Sequence, residues 1–241
     1  MAFIKKTYKK KPTYKKKRVY KKKGLSKRSS LVSLIKSISL KQVETKATHR
    51  IEENVNINHN SGYLFTNLLK TQQGITDTDT GSTAYANRLG DEVIARGLSI
   101  KLWIANKLDR PNIMFRYGIF KYQAGSIPTL SQIFVGANGN RMMDKLDSEY
   151  ITIVYQKIIN LQAGVSGLLT SGSGFQNKEA HTYRKIWIPL KNKKLVFNNG
   201  GSVPKFIDYG FFIVPYDSYG TLTTDTVASF AYEQQLYFKD A

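Results

Sequence analysis

The chain has 241 residues, no cysteine, a formal net charge of +20 and a pI near 9.9. That length suffices for one substantial core plus a tail. The missing cysteines exclude a disulfide framework, a thiolate nucleophile and cysteine-ligated zinc, and the charge excess calls for a polyanionic partner: nucleic acid, an anionic membrane or an acidic protein.

The charge is concentrated at the start. Residues 1–30, MAFIKKTYKKKPTYKKKRVYKKKGLSKRSS, hold 14 of the Lys and Arg residues and no acid, and the first acidic side chain is Glu44. A block of this kind repels itself and has too few apolar groups to offset ordering entropy, so it is predicted to be disordered when free. Its cations are Lys5, Lys6, Lys9, Lys10, Lys11, Lys15, Lys16, Lys17, Arg18, Lys21, Lys22, Lys23, Lys27 and Arg28, with Tyr8, Tyr14 and Tyr20 falling every six residues between the clusters. Lysine neutralises phosphate without reading sequence, and tyrosine stacks on exposed bases for about 1–3 kcal/mol each. The mixture suits single strands, and all of these residues are candidate nucleic-acid contacts. A plain solubilising tail is the weaker reading; nuclear import is an additional role that the same clusters suit, with an import receptor as partner. No apolar block follows the charges as in a signal peptide, and no apolar run approaches the roughly 20 residues of a membrane span, so no stable membrane insertion is expected. With no Asn-X-Ser/Thr sequon either, an intracellular, soluble life is the expectation.

Residues 31–41, LVSLIKSISLK, set Leu31, Ile35 and Ile38 on one helical face with Leu34 beside it. A short amphipathic helix and an arm that orders only on assembly both fit, and the arm is the favoured reading. The chain thus divides into a basic arm over 1–46 and a folded domain over 47–241.

From about residue 47 apolar/polar alternation replaces helical periodicity. Strands are predicted over 48–57, 93–105, 113–122, 150–159, 182–190, 206–215 and 227–238. In the second, Ile94, Leu98, Ile100, Leu102 and Ile104 share a face; the third is apolar on both faces; in the fifth, Ile186, Ile188 and Leu190 share a face. Turn chemistry fills the gaps, as at Asp109-Arg110-Pro111 and Asn198-Asn199-Gly200-Gly201, and residues 129–135 have room for one short helix. Seven or eight strands with long, uneven loops imply an all-β sandwich, for which the single jelly roll, with about eight antiparallel strands in two sheets, is the eight-stranded form. Periodicity alone does not separate it from an immunoglobulin-like sandwich.

Catalytic and metal signatures are wanting. His49, His59 and His181 have no ligand-like spacing and read as surface residues of strands or loops. Asp79-Thr80-Gly81-Ser82 spells a short aspartic-protease signature, but its flanks are polar rather than a rigid apolar strand. Asp77-x-Asp79-x-Gly81 resembles the opening of a calcium loop that lacks its closing glutamate, and an exposed turn is the better reading. Ser33 to Lys36 matches S-x-x-K without companion motifs. The acidic groups Glu52-Glu53, Asp91-Glu92 and Asp144/Asp147/Glu149 cluster in sequence only. No catalytic residue, metal site or cofactor is expected, and an enzyme is not.

The Lys/Tyr arm MAFIKKTYKKKPTYKKKRVYKKK, the segment GDEVIARGLSIKLWIAN and the segment NIMFRYGIFKYQ together resemble the capsid proteins of circular, replication-initiator-encoding single-stranded DNA viruses, the circovirus-like group. The resemblance implies a virion protein, active in the host nucleus during infection, whose jelly roll tiles a closed icosahedral (T=1) shell of about sixty copies. Inward-pointing arms would package single-stranded DNA, with about 840 arm cations set against roughly one negative charge per nucleotide. Long loops at 70–90, 136–149 or 160–180 would form the outer surface or subunit contacts, with host attachment there. Circovirus arms are typically arginine-rich, whereas this one is almost all lysine, a point charge without arginine's planar fork. Small RNA-virus capsids share the plan, so RNA stays open as cargo. The alternative is a non-viral single-strand-binding or ribosome-associated protein with a basic tail. It would need aromatic side chains on an exposed strand face, where a capsid domain mostly buries them; Tyr209, Phe211, Phe212 and Tyr216 fit either. A sugar-binding or enzymatic jelly roll is the third reading and requires a concave polar site.

Overall fold

The computed structural model describes residues 27–74, 78–80, 83–85, 87–136, 139–162, 165–166, 176–177, 180–219 and 221–240. The chain divides into two units after Gln42, earlier than the 46/47 boundary read from charge. Val43 to Ala47 belong with the β domain: Lys46 and Ala47 pair with Phe238 and Tyr237, the Lys239 ammonium donates to the Val43 carbonyl, and Lys46 Nζ lies 3.4 Å from Asp240.

In the first unit, helix α1 spans Lys27–Gln42. It takes in the whole of residues 31–41. Leu31, Leu34, Ile35 and Ile38 recur at the i, i+3, i+4, i+7 spacing that builds one apolar stripe, and Lys41 in the last turn complements the helix dipole.

The second unit is built on eight main strands: β1 (His49–Asn58), β2 (Tyr63–Phe65), β3 (Glu92–Asn106), β4 (Asn112–Gln123), β5 (Thr152–Gln162), β6 (His181–Val196), β7 (Ile207–Asp217) and β8 (Thr226–Asp240), with the one-turn helix α2 (Leu130–Ile133) between β4 and β5. All strand pairs among the described residues are antiparallel. The first strand pairs with the eighth, the second with the seventh, the third with the sixth and the fourth with the fifth. This is one long hairpin, and rolling it up adds the β3–β8 and β4–β7 pairings. The resulting sheets run β6-β3-β8-β1 and β2-β7-β4-β5. That connectivity is a jelly roll, and it resolves the choice against an immunoglobulin-like sandwich. A short hairpin, Thr78–Thr80 with Thr83–Tyr85, extends the first sheet beyond β1.

The main core lies between the sheets. Leu98, Ile100, Leu102 and Ile104 of β3, Ile186 and Ile188 of β6, and Phe230, Tyr232 and Leu236 of β8 meet Phe115, Tyr117, Ile119, Phe211 and Ile213 from the other side. Ile94 is a correction. It is only half-buried, while Val93 and Ala95 are fully buried. The register against β8 slips between Tyr237 and Phe238, where β3 carries the extra residue Arg96. One inserted residue reverses which side chains face the core, so the even-numbered face read from sequence holds only beyond Gly97. A second slip, between Pro189 and Lys193 of β6, does the same there, with Lys191 and Asn192 at φ 52° and 57°.

The second sheet has apolar side chains on its outer face too. Phe120, Tyr122, Phe212 and Val214 form a second cluster there with Ile133, Phe134, Met142 and Ile151. The β4–β5 connection therefore lies across this face, which is why β4 reads as apolar on both sides. Arg116 pins it: the guanidinium donates to the carbonyls of Arg141 at 2.6 Å, Met142 at 3.3 Å and Asp144 at 2.7 Å. Its burial lowers its pKa, which the nearby Asp144 carboxylate partly restores.

Two cross-strand pairs under this loop are reciprocal. Phe120 opposes Gly210 and Phe212 opposes Gly118, and each ring lies over the facing glycine. A Cβ at Gly210 would fall 2.2 Å from Phe120 Cζ. Gly210→Val is expected to displace the ring and destabilise the fold by about 1–3 kcal/mol, read as a lower urea midpoint at unchanged m-value. An unchanged midpoint would show that the ring yields freely.

Candidate nucleic-acid interface

Of the arm residues singled out by charge, Lys5, Lys6, Tyr8, Lys9, Lys10, Lys11, Tyr14, Lys15, Lys16, Lys17, Arg18, Tyr20, Lys21, Lys22 and Lys23 lie outside the described residues. Lys27 and Arg28 open helix α1, so the last two cations of the block are carried on helical backbone.

A second group with nucleic-acid chemistry lies on the folded domain. Strand β6, HTYRKIWIPLKNKKLV, is the edge of the first sheet. Its core face is Ile186, Ile188 and Leu190, which leaves His181, Tyr183, Lys185 and Trp187 alternating on the outer face. Register sets Tyr183 opposite Trp103, Lys185 opposite Lys101 and Trp187 opposite Ser99. Trp103, Tyr183 and Trp187 are each about half exposed, at 48%, 51% and 50%. His181 stacks on Trp103 with ring centroids 5.0 Å apart and planes inclined by 11°. The Trp187 indole lies over Gly97, where a Cβ would meet its ring at 2.1 Å, and it touches Tyr237 at 5.6 Å. Only glycine lets the indole lie flat on the sheet here.

Cations sit among these rings. Strand β6 carries Arg184, Lys185, Lys191, Lys193 and Lys194 with no acid. Lys194 meets Glu92 at 2.6 Å, and Lys101 bonds both Glu233 oxygens at 2.9 and 2.8 Å. That bond, ahead of other effects, raises the Lys101 pKa. Lys185 has no carboxylate within ion-pair distance among the described residues. Lysines on a sheet edge also discourage strand addition by another chain.

The core face of β6 is legible in sequence from Ile186, Ile188 and Leu190, whereas its opposite face is not singled out there. The signal was present in the alternation itself, since the positions between Ile186 and Ile188 that must face away include Trp187.

The remaining candidates resolve into structural roles. His59, read as a surface residue, is buried: it closes the turn after β1, its Nδ1 accepts the Asp217 N–H at 3.1 Å, and its ring packs on Tyr216 at 4.8 Å. Burial lowers its pKa, with Asp217 opposing. The correction has a plain cause, because a turn residue roofed by β7 loses the exposure that its sequence position suggests. His49 lies 3.5 Å from Glu233. Glu52 pairs with Arg50 and Asp91 with Arg88. Asp77 lies outside the described residues, and Asp79 is in the short hairpin strand Thr78–Thr80. Among the described residues, no group of three or more His, Asp or Glu side chains is arranged to hold a metal ion, and no helix is long and apolar enough to cross a membrane. Tyr209, Phe211 and Phe212 are buried, as core residues rather than a platform.

No protein-family model matches the sequence, and no curated protein matches it significantly.

Proposed function

We propose that this chain is a viral coat protein whose jelly-roll domain assembles into a small icosahedral shell and whose Lys/Tyr arm gathers a single-stranded DNA genome by charge neutralisation and stacking. The observation that carries this reading is the union of two parts in one chain: an eight-stranded jelly roll, an architecture used by viral capsids, and an N-terminal block of 14 cations without an acid. The block supplies sequence-independent affinity for phosphate. The jelly roll supplies a rigid tile with buried central aromatics. The same lysine clusters suit import into a host nucleus, and attachment to a host would fall to exposed loops.

A second reading, a non-viral single-strand-binding protein working as a monomer or small oligomer, is favoured by one observation: Trp103, Tyr183 and Trp187 stand on an exposed strand face. The coat-protein reading ranks first because the arm and the tile are both accounted for, while the face serves either protein.

The test is electron microscopy of the recombinant full-length protein together with its ultraviolet absorbance ratio. Closed, uniform shells containing nucleic acid are expected. Small soluble species that bind nucleic acid without closing would replace this reading with the second.

A further inference from the structure

We propose that the outer face of the β6-β3-β8-β1 sheet is a second contact for single-stranded nucleic acid, built in the folded domain, with bases stacking on Trp103, Tyr183 and Trp187 and phosphates meeting Lys185. The inference rests on the packaging function proposed above and assigns it a site apart from the arm.

Three observations on the domain carry it. The first is the contrast between the two outer sheet faces. The face of the second sheet, with Phe120 and Phe212, is roofed by the chain's own β4–β5 connection and by Phe134 and Met142. The face of the first sheet keeps three large aromatic side chains half exposed. Burying a Trp contributes several kcal/mol at about 25 cal/mol per Å², so an open pair of indoles marks a surface that something else covers.

The second is charge. Lys185 and Lys101 stand side by side between the Trp103–Tyr183 pair and Trp187; Lys101 is held by Glu233 on the same face, which leaves Lys185 as the cation there without a carboxylate within ion-pair distance among the described residues. A protein interface is depleted of charge at its centre, and an uncompensated lysine such as Lys185 there disfavours it. A polyanion instead meets cations and rings together, the combination found where single strands are held without sequence preference. Tyr183 and Trp187 are four residues apart on β6, a separation of about 13 Å at strand rise, so the rings can engage separate bases along one strand.

The third is where the arm joins the domain. Lys46 and Ala47 pair with Phe238 and Tyr237, and Tyr237 is the ring that touches Trp187. The arm is continuous in sequence with the domain through Val43, so a strand held by the arm is kept at raised local concentration near the domain.

The chain contains two tryptophans, and both lie on this face, so tryptophan fluorescence reports on it alone, excited at the red edge where the arm tyrosines do not absorb. Full-length protein, stripped of nucleic acid at high salt, is titrated at low salt with oligothymidylate and with an abasic oligonucleotide of equal length, while polarisation of a labelled strand follows binding itself. Both strands are expected to bind through charge, and only oligothymidylate should quench the tryptophans. Trp103→Ala should weaken oligothymidylate binding by about tenfold and leave abasic binding unchanged. Trp103→Phe, which keeps a ring, should restore most of that loss. Equal emission changes with both strands would mean that a neighbouring copy covers the face on assembly, and would overturn the proposal. Binding with no emission change would overturn it while leaving arm-driven packaging intact. Failure of either strand to bind at low salt would remove the packaging reading and this site together.

Discussion

Deletion of residues 1–26 is expected to abolish nucleic-acid content and to flatten the salt dependence of binding, because it removes 12 of the 37 Lys and Arg residues and leaves helix α1 and the jelly roll whole. Each phosphate neutralised on a single strand adds about −0.7 to the slope of log affinity against log salt. If all 14 cations of residues 1–30 engage, the slope reaches about −10, and a fourfold rise in salt weakens binding by on the order of 10⁶. Only Lys27 and Arg28 of the block survive the deletion, which lowers the arm's share to about −1. Replacing Tyr8, Tyr14 and Tyr20 with Ser separates stacking from charge. The slope should hold, while affinity for oligothymidylate falls by about 1–3 kcal/mol for each stacked base lost. A shallow slope in the full-length protein would sink packaging by charge, and an unchanged slope after deletion would move the interface to the folded domain.

Much of the sandwich was legible because its strands are long and alternate. The predicted spans 93–105, 113–122, 182–190 and 227–238 fall inside β3, β4, β6 and β8. Strand β2 was not legible. It has three residues, Tyr63 to Phe65, too few for a period, and it is held in place by pairing with Phe211 to Ile213, more than a hundred residues away. The pairing order, and with it the jelly roll, is likewise set by long-range contacts that no local pattern encodes. Ile94 was placed on the wrong face because a single inserted residue, Arg96, is invisible to a count of alternation.

The candidate site on the domain was hidden for a different reason. Strands β4 and β6 both carry bulky side chains on the face turned away from the main core, Phe120 in one and Trp187 in the other. In sequence they look alike. Only the course of the β4–β5 connection, fixed by Arg116 and the Phe134–Leu146 bridge, covers one and leaves the other open. Net charge singles out residues 1–30 in the sequence itself, since charge is additive along the chain, whereas which aromatic side chains stay wet is decided by packing.

Replacing Asp208 with Asn is expected to remove a pH dependence of about 4 kcal/mol from the stability of the domain. Asp208 is fully buried on β7, opposite Tyr122 of β4. One carboxyl oxygen accepts the N–H of Leu69 at 3.0 Å and that of Tyr209 at 2.6 Å; the other has no hydrogen-bond partner among the described residues. Burial raises its pKa from 3.8 to about 7, outweighing the two N–H bonds that favour the anion, and burial with this neighbouring carboxyl lifts the Tyr122 phenol to about 12. The folded-state value exceeds the unfolded one, so the folded state holds the extra proton and stability falls as pH rises from about 4 to about 7. Three units at about 1.4 kcal/mol each give the 4 kcal/mol. Asn has the shape of the neutral acid and keeps an acceptor for Leu69 and Tyr209, so the variant should match the wild type in acid and exceed it above neutrality. Asp208→Leu should instead lose about 2–4 kcal/mol at every pH, because two buried N–H groups are left unpaired. Leu69 and its neighbour Leu68 belong to the main core, and the Leu68 carbonyl accepts from Gln234 on β8. The loop that Asp208 anchors therefore joins the two sheets, and its release opens the sandwich at one end. Urea melts of the wild type and both variants across this pH range provide the measurement. Groups common to all three cancel in the difference, so a wild-type-minus-Asn curve that stays flat would show that Asp208 is ionised at little cost in the folded domain.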